Sequence, residues 1–250
     1  MEEIGIYVHI PFCVRKCDYC DFISYAGKEE KMLVYVDSLQ KEIEERAKSI
    51  RNEKKVIDTI YIGGGTPSFL PLGRIQVILE TIKKEYSVKE DAEITIEVNP
   101  GTVSKEKLQE YRKCGCNRIS IGLQATRQKT LEKIGRIHTF EQFLETYQTA
   151  KEVGFSNQNV DIMIGLPEQS CEEVEESVYK ILELEPKHVS IYSLIVEEGT
   201  PLEKKIAQGK YELPSEEGER NMYWKVKQML EQSGYIHYEI SNFAKPRLGI

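Results

Sequence analysis

The sequence predicts an α/β fold, an open (βα)6 barrel followed by the start of a smaller domain, and two observations lead to this prediction. Short runs rich in β-branched residues alternate six times with longer amphipathic segments, which is the pattern of parallel strands joined by helices. Polar residues recur on one face of several of these runs. A closed, packed barrel would bury them without partners, whereas an open barrel around a polar ligand would accommodate them.

The six runs give the expected strands. They are Ile4–Ile10, Val56–Ile62, Glu93–Val98, Arg118–Leu123, Val160–Ile164 and Val189–Leu194. Charge-rich segments between them, such as Lys31–Arg51 and Glu172–Leu184, are expected to be helices. We expect the barrel over residues 1–200, and connecting helices with the beginning of an incomplete C-terminal domain over residues 201–250.

Strand alternation defines the polar face. Residues two apart point to the same side of a strand, so certain polar groups share one side of the sheet. These groups are Tyr7 with His9, Thr95 with Glu97, and Ser120 with Gly122 and Gln124. A lone carboxylate at a strand end is often a solvated rim residue. Glu97 and Gln124, however, end neighbouring strands and are expected to point to the same open end, or mouth, of the barrel. A polar ligand site at that mouth is the resulting expectation.

Composition narrows the class of protein. Of the 250 residues 40% are hydrophobic and 30% charged, as in ordinary globular proteins. The net charge of −7 argues against a nucleic-acid partner. No apolar run approaches the roughly 18 residues of a membrane span, and the acidic N-terminus is unlike a signal peptide. We therefore expect a cytoplasmic protein, in which six reduced cysteines suggest metal or redox chemistry.

Three cysteines stand directly after the first strand, Cys13, Cys17 and Cys20, at C-x3-C-x2-C spacing. An iron–sulfur cubane normally takes four thiolates, so three would leave one iron open to an exogenous molecule. Structural zinc requires four closed ligands. The spacing alone leaves a cluster, a zinc site and unrelated buried thiols open. Tyr19 within the loop, and the position at the C-terminal end of a strand, favour the cluster.

The cysteine stretch resembles the radical S-adenosylmethionine (SAM) superfamily, and "IYVHIPFC" resembles its oxygen-independent coproporphyrinogen III oxidase and heme chaperone group. The resemblance extends over residues 4 to 244 through several further motifs. These are "YIGGGTPS", "EVNPGT", "NRISIGLQ", "GRIH", "DIMIGLPEQS" and "HVSIYSLIVEEGT". It implies the partial barrel of that superfamily, a [4Fe–4S] cluster on the three cysteines, and SAM on the open iron.

The resemblance also implies a set of SAM-binding residues. Gly64, Gly65 and Thr66 match positions that contact the amino-acid end of SAM, and Tyr7 and Tyr19 match positions near its methionine and adenine parts. The remaining matched contacts are Glu97, Gln124, Arg136 and Asp161. From the residues alone, the glycine run is equally typical of a tight strand-to-helix turn, and Arg136 would be a plain surface arginine.

Two features resemble the heme chaperone branch of the group. The oxidases carry a further cysteine two residues after the third, where this sequence has Phe22, and they have an N-terminal extension before the first strand. The implied partners are heme or porphyrin, heme-accepting proteins, and an electron donor such as flavodoxin or ferredoxin. The alternative function is oxidation of coproporphyrinogen III by decarboxylation of its propionates; radical chemistry on RNA is a third and weaker one.

The family continues after "YEISNFAKP" into a further domain, whereas this sequence stops at "RLGI". We therefore expect the 250-residue protein to keep cluster and SAM binding and to lose heme transfer, with heme bound by a full-length form.

Overall fold

The structure, a computed structural model, describes residues 2–50 and 55–246. Strands and helices alternate along the sequence. The first elements are β1 (Glu2–Ile10), β2 (Phe12–Cys13), β3 (Tyr25–Ala26), α1 (Met32–Ile50), β4 (Lys55–Gly64), α2 (Arg74–Glu85), β5 (Val88–Val98), α3 (Lys105–Cys114) and β6 (Arg118–Gln124). The later elements are α4 (Gln128–Lys133), α5 (Phe140–Glu152), β7 (Asn157–Ile164), α6 (Cys171–Leu182), β8 (His188–Ser193), α7 (Pro201–Ala207), α8 (Glu216–Gln232), β9 (Ile236–His237) and β10 (Asn242–Ala244).

Eight strands form one sheet in the order β1-β4-β5-β6-β7-β8-β10-β9. Its first six members are the six predicted strands, in sequence order. The pairs β1–β4, β4–β5 and β7–β8 are parallel, and β10 adds to β8 in antiparallel direction. The predicted α/β class is therefore confirmed. The predicted helix Lys31–Arg51 is α1, although Arg51 itself lies outside the described residues.

The protein divides into two compact units. The first consists of the residues up to 15 with 22–119 and 148–156, and the second of 16–21, 120–147 and the residues from 157 onward. The expected boundary near residue 200 stays a prediction, and residues 247–250 of the expected C-terminal segment lie outside the described residues. No helix in the described part of the protein has the length and apolar character of a membrane span.

In the first unit, strand register separates an apolar row from a polar one. Val8 lies opposite Ile62, which lies opposite Ile96, and all three are buried. One residue earlier, Tyr7 lies opposite Tyr61, and their rings stack at 6.2 Å. Because side chains alternate across a strand, this second row faces the opposite side of the sheet. The predicted one-sided polarity is thus present in β1 and β4.

The second unit shows the same separation in β7 and β8. Val160 lies opposite Val189, with both fully buried, while Asp161 lies opposite Ser190.

Helix α6 is fixed at its start by a capping box, in which the Ser170 hydroxyl accepts from the Glu173 N–H and the Glu173 side chain accepts from the Ser170 N–H.

A buried histidine secures the segment after α4 in the second unit. His138 is 2% exposed, and its Nε2 donates to the carbonyl of Leu123 at 3.1 Å. Burial, reinforced by the charge of Arg136, lowers the pKa of His138 to about 3. The ring is therefore neutral in the folded protein at neutral pH, with its one N–H directed at the strand end.

This histidine predicts a loss of stability in mild acid. In the unfolded protein a histidine takes up a proton near pH 6.5, whereas in the folded protein His138 does so only near pH 3. Its contribution is intact above about pH 6.5 and falls by about 1.4 kcal/mol per pH unit below it. Urea unfolding at pH 7.5 and pH 5 should therefore show a decline that is about 2 kcal/mol smaller in His138→Gln than in the unsubstituted protein. Equal declines in both proteins would contradict the lowered pKa.

Candidate functional site

The first unit places Cys13 against the glycine turn that follows β4. The N–H of Gly65 donates to the carbonyl of Ile10, and the N–H of Thr66 to the carbonyl of Phe12, each at 2.8 Å. The Thr66 hydroxyl donates to Cys13 Sγ at 3.5 Å. Three hydrogen bonds therefore join the glycine turn to the segment that carries the first cysteine. Cys13 itself is buried.

Glycine is required at two positions of this turn. A Cβ on Gly65 would lie 2.8 Å from the Phe12 carbonyl oxygen and 3.0 Å from Cys13 Sγ. Gly64 has φ +112° and approaches the His9 ring so closely that a Cβ would lie 2.7 Å from it. Such contacts leave no room for a side chain. The interpretation of this run as a tight turn is correct, and the turn also lies directly against the cysteine loop.

Glu97 is tied into the same turn. Its carboxylate accepts from the Gly64 N–H at 3.1 Å and from the Tyr61 hydroxyl at 2.7 Å. Glu97 is only partly exposed, so it is a positioned group and not the solvated rim residue that a strand-end carboxylate commonly is. The role of Tyr61 was not anticipated, because its position opposite Tyr7 is set by the pairing of β1 with β4.

Tyr7 lies on the same polar row and is more accessible. It is 59% exposed, and its hydroxyl lies 3.1 Å from Nδ1 of His9. Burial of part of the ring, together with the charge of Glu97, raises the pKa of the Tyr7 phenol. The group is therefore a protonated hydroxyl that can donate to a ligand at this mouth.

The second unit contains the other two cysteines in a turn. The N–H of Cys20 donates to the carbonyl of Cys17 at 3.2 Å, as in a β-turn. The buried guanidinium of Arg136 donates from Nη1 to Cys17 Sγ at 3.5 Å and from Nη2 to the Gly122 carbonyl at 2.5 Å. Arg136 is thus not the surface arginine that its sequence alone suggested. It places a positive charge on the cysteine turn.

Tyr19 lies between these two cysteines and packs on a hydrophobic cluster that includes Leu131 and Ile134. Burial raises the pKa of its phenol above the ordinary value, so the side chain stays protonated. This position is compatible with the nearness to a ligand that the resemblance implies for Tyr19, and equally with a packing role.

Gln124 ends β6 in an unusual backbone conformation. Its φ is +72° and its side chain is buried. A residue other than glycine in the left-handed region costs energy, and such residues cluster at functional sites, where the surrounding structure holds them in place. The strained strand end supports the prediction that Gln124 belongs to a binding site.

Asp161 is held by a network of hydrogen bonds. Its carboxylate accepts from the side-chain amide of Asn159 at 2.7 Å and from the Ser120 hydroxyl at 3.2 Å. The Asn159 carbonyl oxygen accepts in turn from His188 Nδ1 at 2.6 Å and from the Ser190 hydroxyl at 3.2 Å. All four hydrogen-bonding positions of Asn159 are used when its 2.8 Å bond to Ser120 is included. Nothing in the sequence pattern indicated that Asn159 and His188 would orient Asp161.

The predicted site residues are divided between the two units. The first unit contains Tyr7, Cys13, Gly64, Gly65, Thr66 and Glu97. The second unit contains Cys17, Tyr19, Cys20, Gln124, Arg136 and Asp161. Over residues 2–50 and 55–246, no group of three or more His, Cys, Asp or Glu side chains stands ready to hold a metal ion.

The donor chemistry nevertheless fits an iron–sulfur cluster. Cys13, Cys17 and Cys20 lie within eight consecutive residues and are free thiols. The only carboxylate between them in the sequence, Asp18, is paired with Lys205 at 2.5 Å. A donor set made only of thiols suits iron–sulfur chemistry better than it suits hard cations such as Mg²⁺.

Curated relatives of this protein include heme chaperones. The heme chaperone HemW of Bacillus subtilis is 39% identical over 241 residues, which cover 96% of the present sequence and 63% of that protein. HemW of Escherichia coli is 36% identical over 247 residues, which cover 98% of the present sequence and 64% of that protein. The present sequence therefore spans somewhat less than two thirds of the length of these relatives.

A solved structure shows the same fold. Coproporphyrinogen III oxidase (HemN) from Escherichia coli, described as a radical SAM enzyme, matches with a TM-score of 0.87 and 28% identity. The match covers 98% of the present protein and 56% of the oxidase.

The family model of the Radical SAM superfamily matches residues 7–180, which include every predicted site residue. This match confirms the resemblance that the cysteine motif suggested, and it implies a [4Fe–4S] cluster and SAM as cofactors. The protein belongs to the radical SAM superfamily.

Proposed function

We propose that these 250 residues are the cluster- and SAM-binding part of a heme chaperone, which in its full-length form binds heme and delivers it to acceptor proteins. The observation that carries the proposal is the 39% identity to a heme chaperone over 96% of the sequence. Phe22 supports it, since this residue stands where the related oxidases have a further cysteine. Phe22 is 70% exposed, so a cysteine there would have been accessible for chemistry.

The three cysteines would hold the [4Fe–4S] cluster. They are close together in the sequence, within eight consecutive residues. Two of them also have a neighbouring group that suits a thiolate ligand. Thr66 donates its hydroxyl hydrogen to Cys13 while accepting from the Asn99 amide at 2.9 Å. Arg136 donates to Cys17. Hydrogen bonds to cluster sulfurs stabilise the charge on them and tune the reduction potential. When bound, such a cluster supplies one electron to SAM.

Separate groups would bind the parts of SAM. The Glu97 carboxylate and the backbone of the glycine turn suit the ammonium and carboxylate of its amino-acid end. Asp161, oriented by Asn159, suits ribose hydroxyls. Gln124 and Arg136 would supply further polar contacts, and Tyr7 and Tyr19 would lie near the methionine and adenine parts.

The second candidate is coproporphyrinogen III oxidation, which the likeness to the Escherichia coli oxidase supports. In that case the same site would drive decarboxylation of porphyrinogen propionates.

An electron donor such as flavodoxin or ferredoxin would serve either function. A cytoplasmic location stays a prediction.

Replacing any one of Cys13, Cys17 and Cys20 by alanine should abolish cluster assembly. Anaerobic reconstitution of the unsubstituted protein should give about four irons per molecule, as a cubane requires. Iron and sulfide analysis would measure this, with Cys171→Ala as the matched control because Cys171 opens helix α6, outside the motif. Four irons retained in Cys13→Ala, or zinc as the only metal after anaerobic purification, would refute the assignment.

Replacing Glu97 by glutamine should weaken SAM binding. The amide keeps one oxygen, which can still accept from the Gly64 N–H, and its NH2 group can donate to the Tyr61 hydroxyl oxygen. The negative charge that an ammonium group requires is lost. We expect the dissociation constant of the reconstituted protein for SAM to rise about tenfold or more, equivalent to about 1.4 kcal/mol. Anaerobic equilibrium dialysis would measure it. Glu90→Gln, an exposed position on the same strand, is the control, and equal affinity of the two variants would argue against Glu97 as a SAM ligand.

The full-length form should bind heme stoichiometrically without turning over coproporphyrinogen III. The test is anaerobic incubation with reductant, SAM and coproporphyrinogen III while protoporphyrinogen is followed, alongside a heme titration. Multiple turnovers would favour the oxidase over the chaperone.

A further inference from the structure

The turn between Cys17 and Cys20 is attached to two other segments of the second unit through one residue. Asp18 is 6% exposed. Its N–H donates to the carbonyl of Ile134 at 3.0 Å, and its carbonyl accepts from the N–H of Leu202 at 2.8 Å. Both peptide groups of Asp18 therefore fix the turn to the rest of the unit.

The Asp18 side chain is buried as an ion pair. Its Oδ2 lies 2.5 Å from Nζ of Lys205, and the two side chains are 8% and 28% exposed. On the other side, a Cβ on Gly135 would lie 2.7 Å from Oδ1, so the carboxylate fits closely against this turn. A buried carboxylate is strongly unfavourable without a partner. Lys205 therefore stabilises the turn in its position.

The Lys205 ammonium also has an aromatic neighbour. Its ammonium lies 5.7 Å from the ring centroid of Tyr211, within the range of a cation–π contact. It belongs to α7, beyond the segment 7–180 that matches the superfamily model. The counter-charge at the cysteine turn is thus supplied by a helix that follows the matched segment in the sequence.

We propose that Lys205 is a positioning residue for the iron–sulfur cluster, which neutralises Asp18 and holds the Cys17–Cys20 turn in place. The inference rests on the proposed cluster ligation by these cysteines. The reduction potential of a cluster depends on nearby net charge and on the hydrogen bonds around its sulfurs. The Asp18–Lys205 pair sets that charge at the residue between two ligands.

The test uses the full 250-residue protein, reconstituted anaerobically, as Lys205→Met, Asp18→Asn and the double variant. Lys204→Met, an exposed neighbour on the same helix, is the matched control, and Lys205→Arg should restore the charge. The measurements are the midpoint potential of the cluster by redox titration and the rate of iron release to a chelator. Circular dichroism would check that each variant is folded.

Lys205→Met should lower the midpoint potential, because it removes the positive charge that lies against the Asp18 carboxylate. Asp18→Asn should raise it, because the positive charge remains. Iron release should be about tenfold or more faster in Lys205→Met, since one partner of a buried pair is lost. The double variant carries neither charge, so its potential should lie between those of the single variants and close to that of the unsubstituted protein. The second comparison keeps the test available if a single variant does not fold. Lys205→Arg and Lys204→Met should resemble the unsubstituted protein.

Shifts of the same sign in Lys205→Met and Asp18→Asn, or values equal to those of Lys204→Met, would overturn the inference and leave the proposed cluster ligation intact. A double variant outside the interval between the single variants would also overturn it. Failure of the unsubstituted protein to assemble any cluster would instead overturn the proposed function, and the inference with it.

Discussion

Every polar side chain that the sheet buries must find a hydrogen-bond partner, and the candidate site depends on this constraint. A buried polar group without a partner costs about 1–3 kcal/mol, so inward polar residues are stable only as connected sets. In the first unit, the set joins Tyr61, Glu97 and the glycine turn. In the second, Asn159 joins Asp161 to His188. Groups held in this way are oriented before any ligand arrives.

Satisfying these groups also prepares them for binding. Asn159 can rotate only by giving up four hydrogen bonds, so the Asp161 carboxylate that it contacts is held in one orientation. A binding group with a fixed orientation loses little conformational entropy when a ligand binds, which strengthens the interaction. Gln124 is also held in place before a ligand binds. Its backbone is strained at a positive φ, and folding, not ligand binding, supplies the free energy for that strain.

The charged side chains at the Cys17–Cys20 turn are positive on balance. Arg136 and Lys205 are cationic, and Asp18 is anionic, so these three groups together carry a net positive charge. An iron–sulfur cluster with thiolate ligands is anionic overall, and buried cations lower the cost of holding it away from water. Burial, reinforced by the charge of Arg136, lowers the pKa of His138 and keeps this side chain neutral. A second cation so close to the guanidinium would be unfavourable.

Local patterns in the sequence were sufficient for the six strands, the α/β class and the cysteine spacing, because periodicity and spacing are properties of neighbouring residues. The family followed instead from the resemblance of the quoted motifs, which the match over residues 7–180 confirmed. All six strands were located with differences mainly at their ends, where pairing with neighbouring strands decides the boundary. Glu97 and Gln124 were also found at strand ends, where the strands of a parallel sheet share one edge.

Only the tertiary structure decided which distant side chains meet. Asp18 and Lys205 are 187 positions apart, and nothing in the spacing of either one indicates the other. Arg136 read as a surface residue and Glu97 as a rim residue when each was taken alone, because exposure depends on what packs above a side chain. The need for glycine at position 65 likewise follows from its closeness to Cys13 in the folded protein. That closeness cannot be read from the sequence. Periodicity indicates the face on which a residue lies, whereas its hydrogen-bond partner depends on how the strands, turns and helices are brought together.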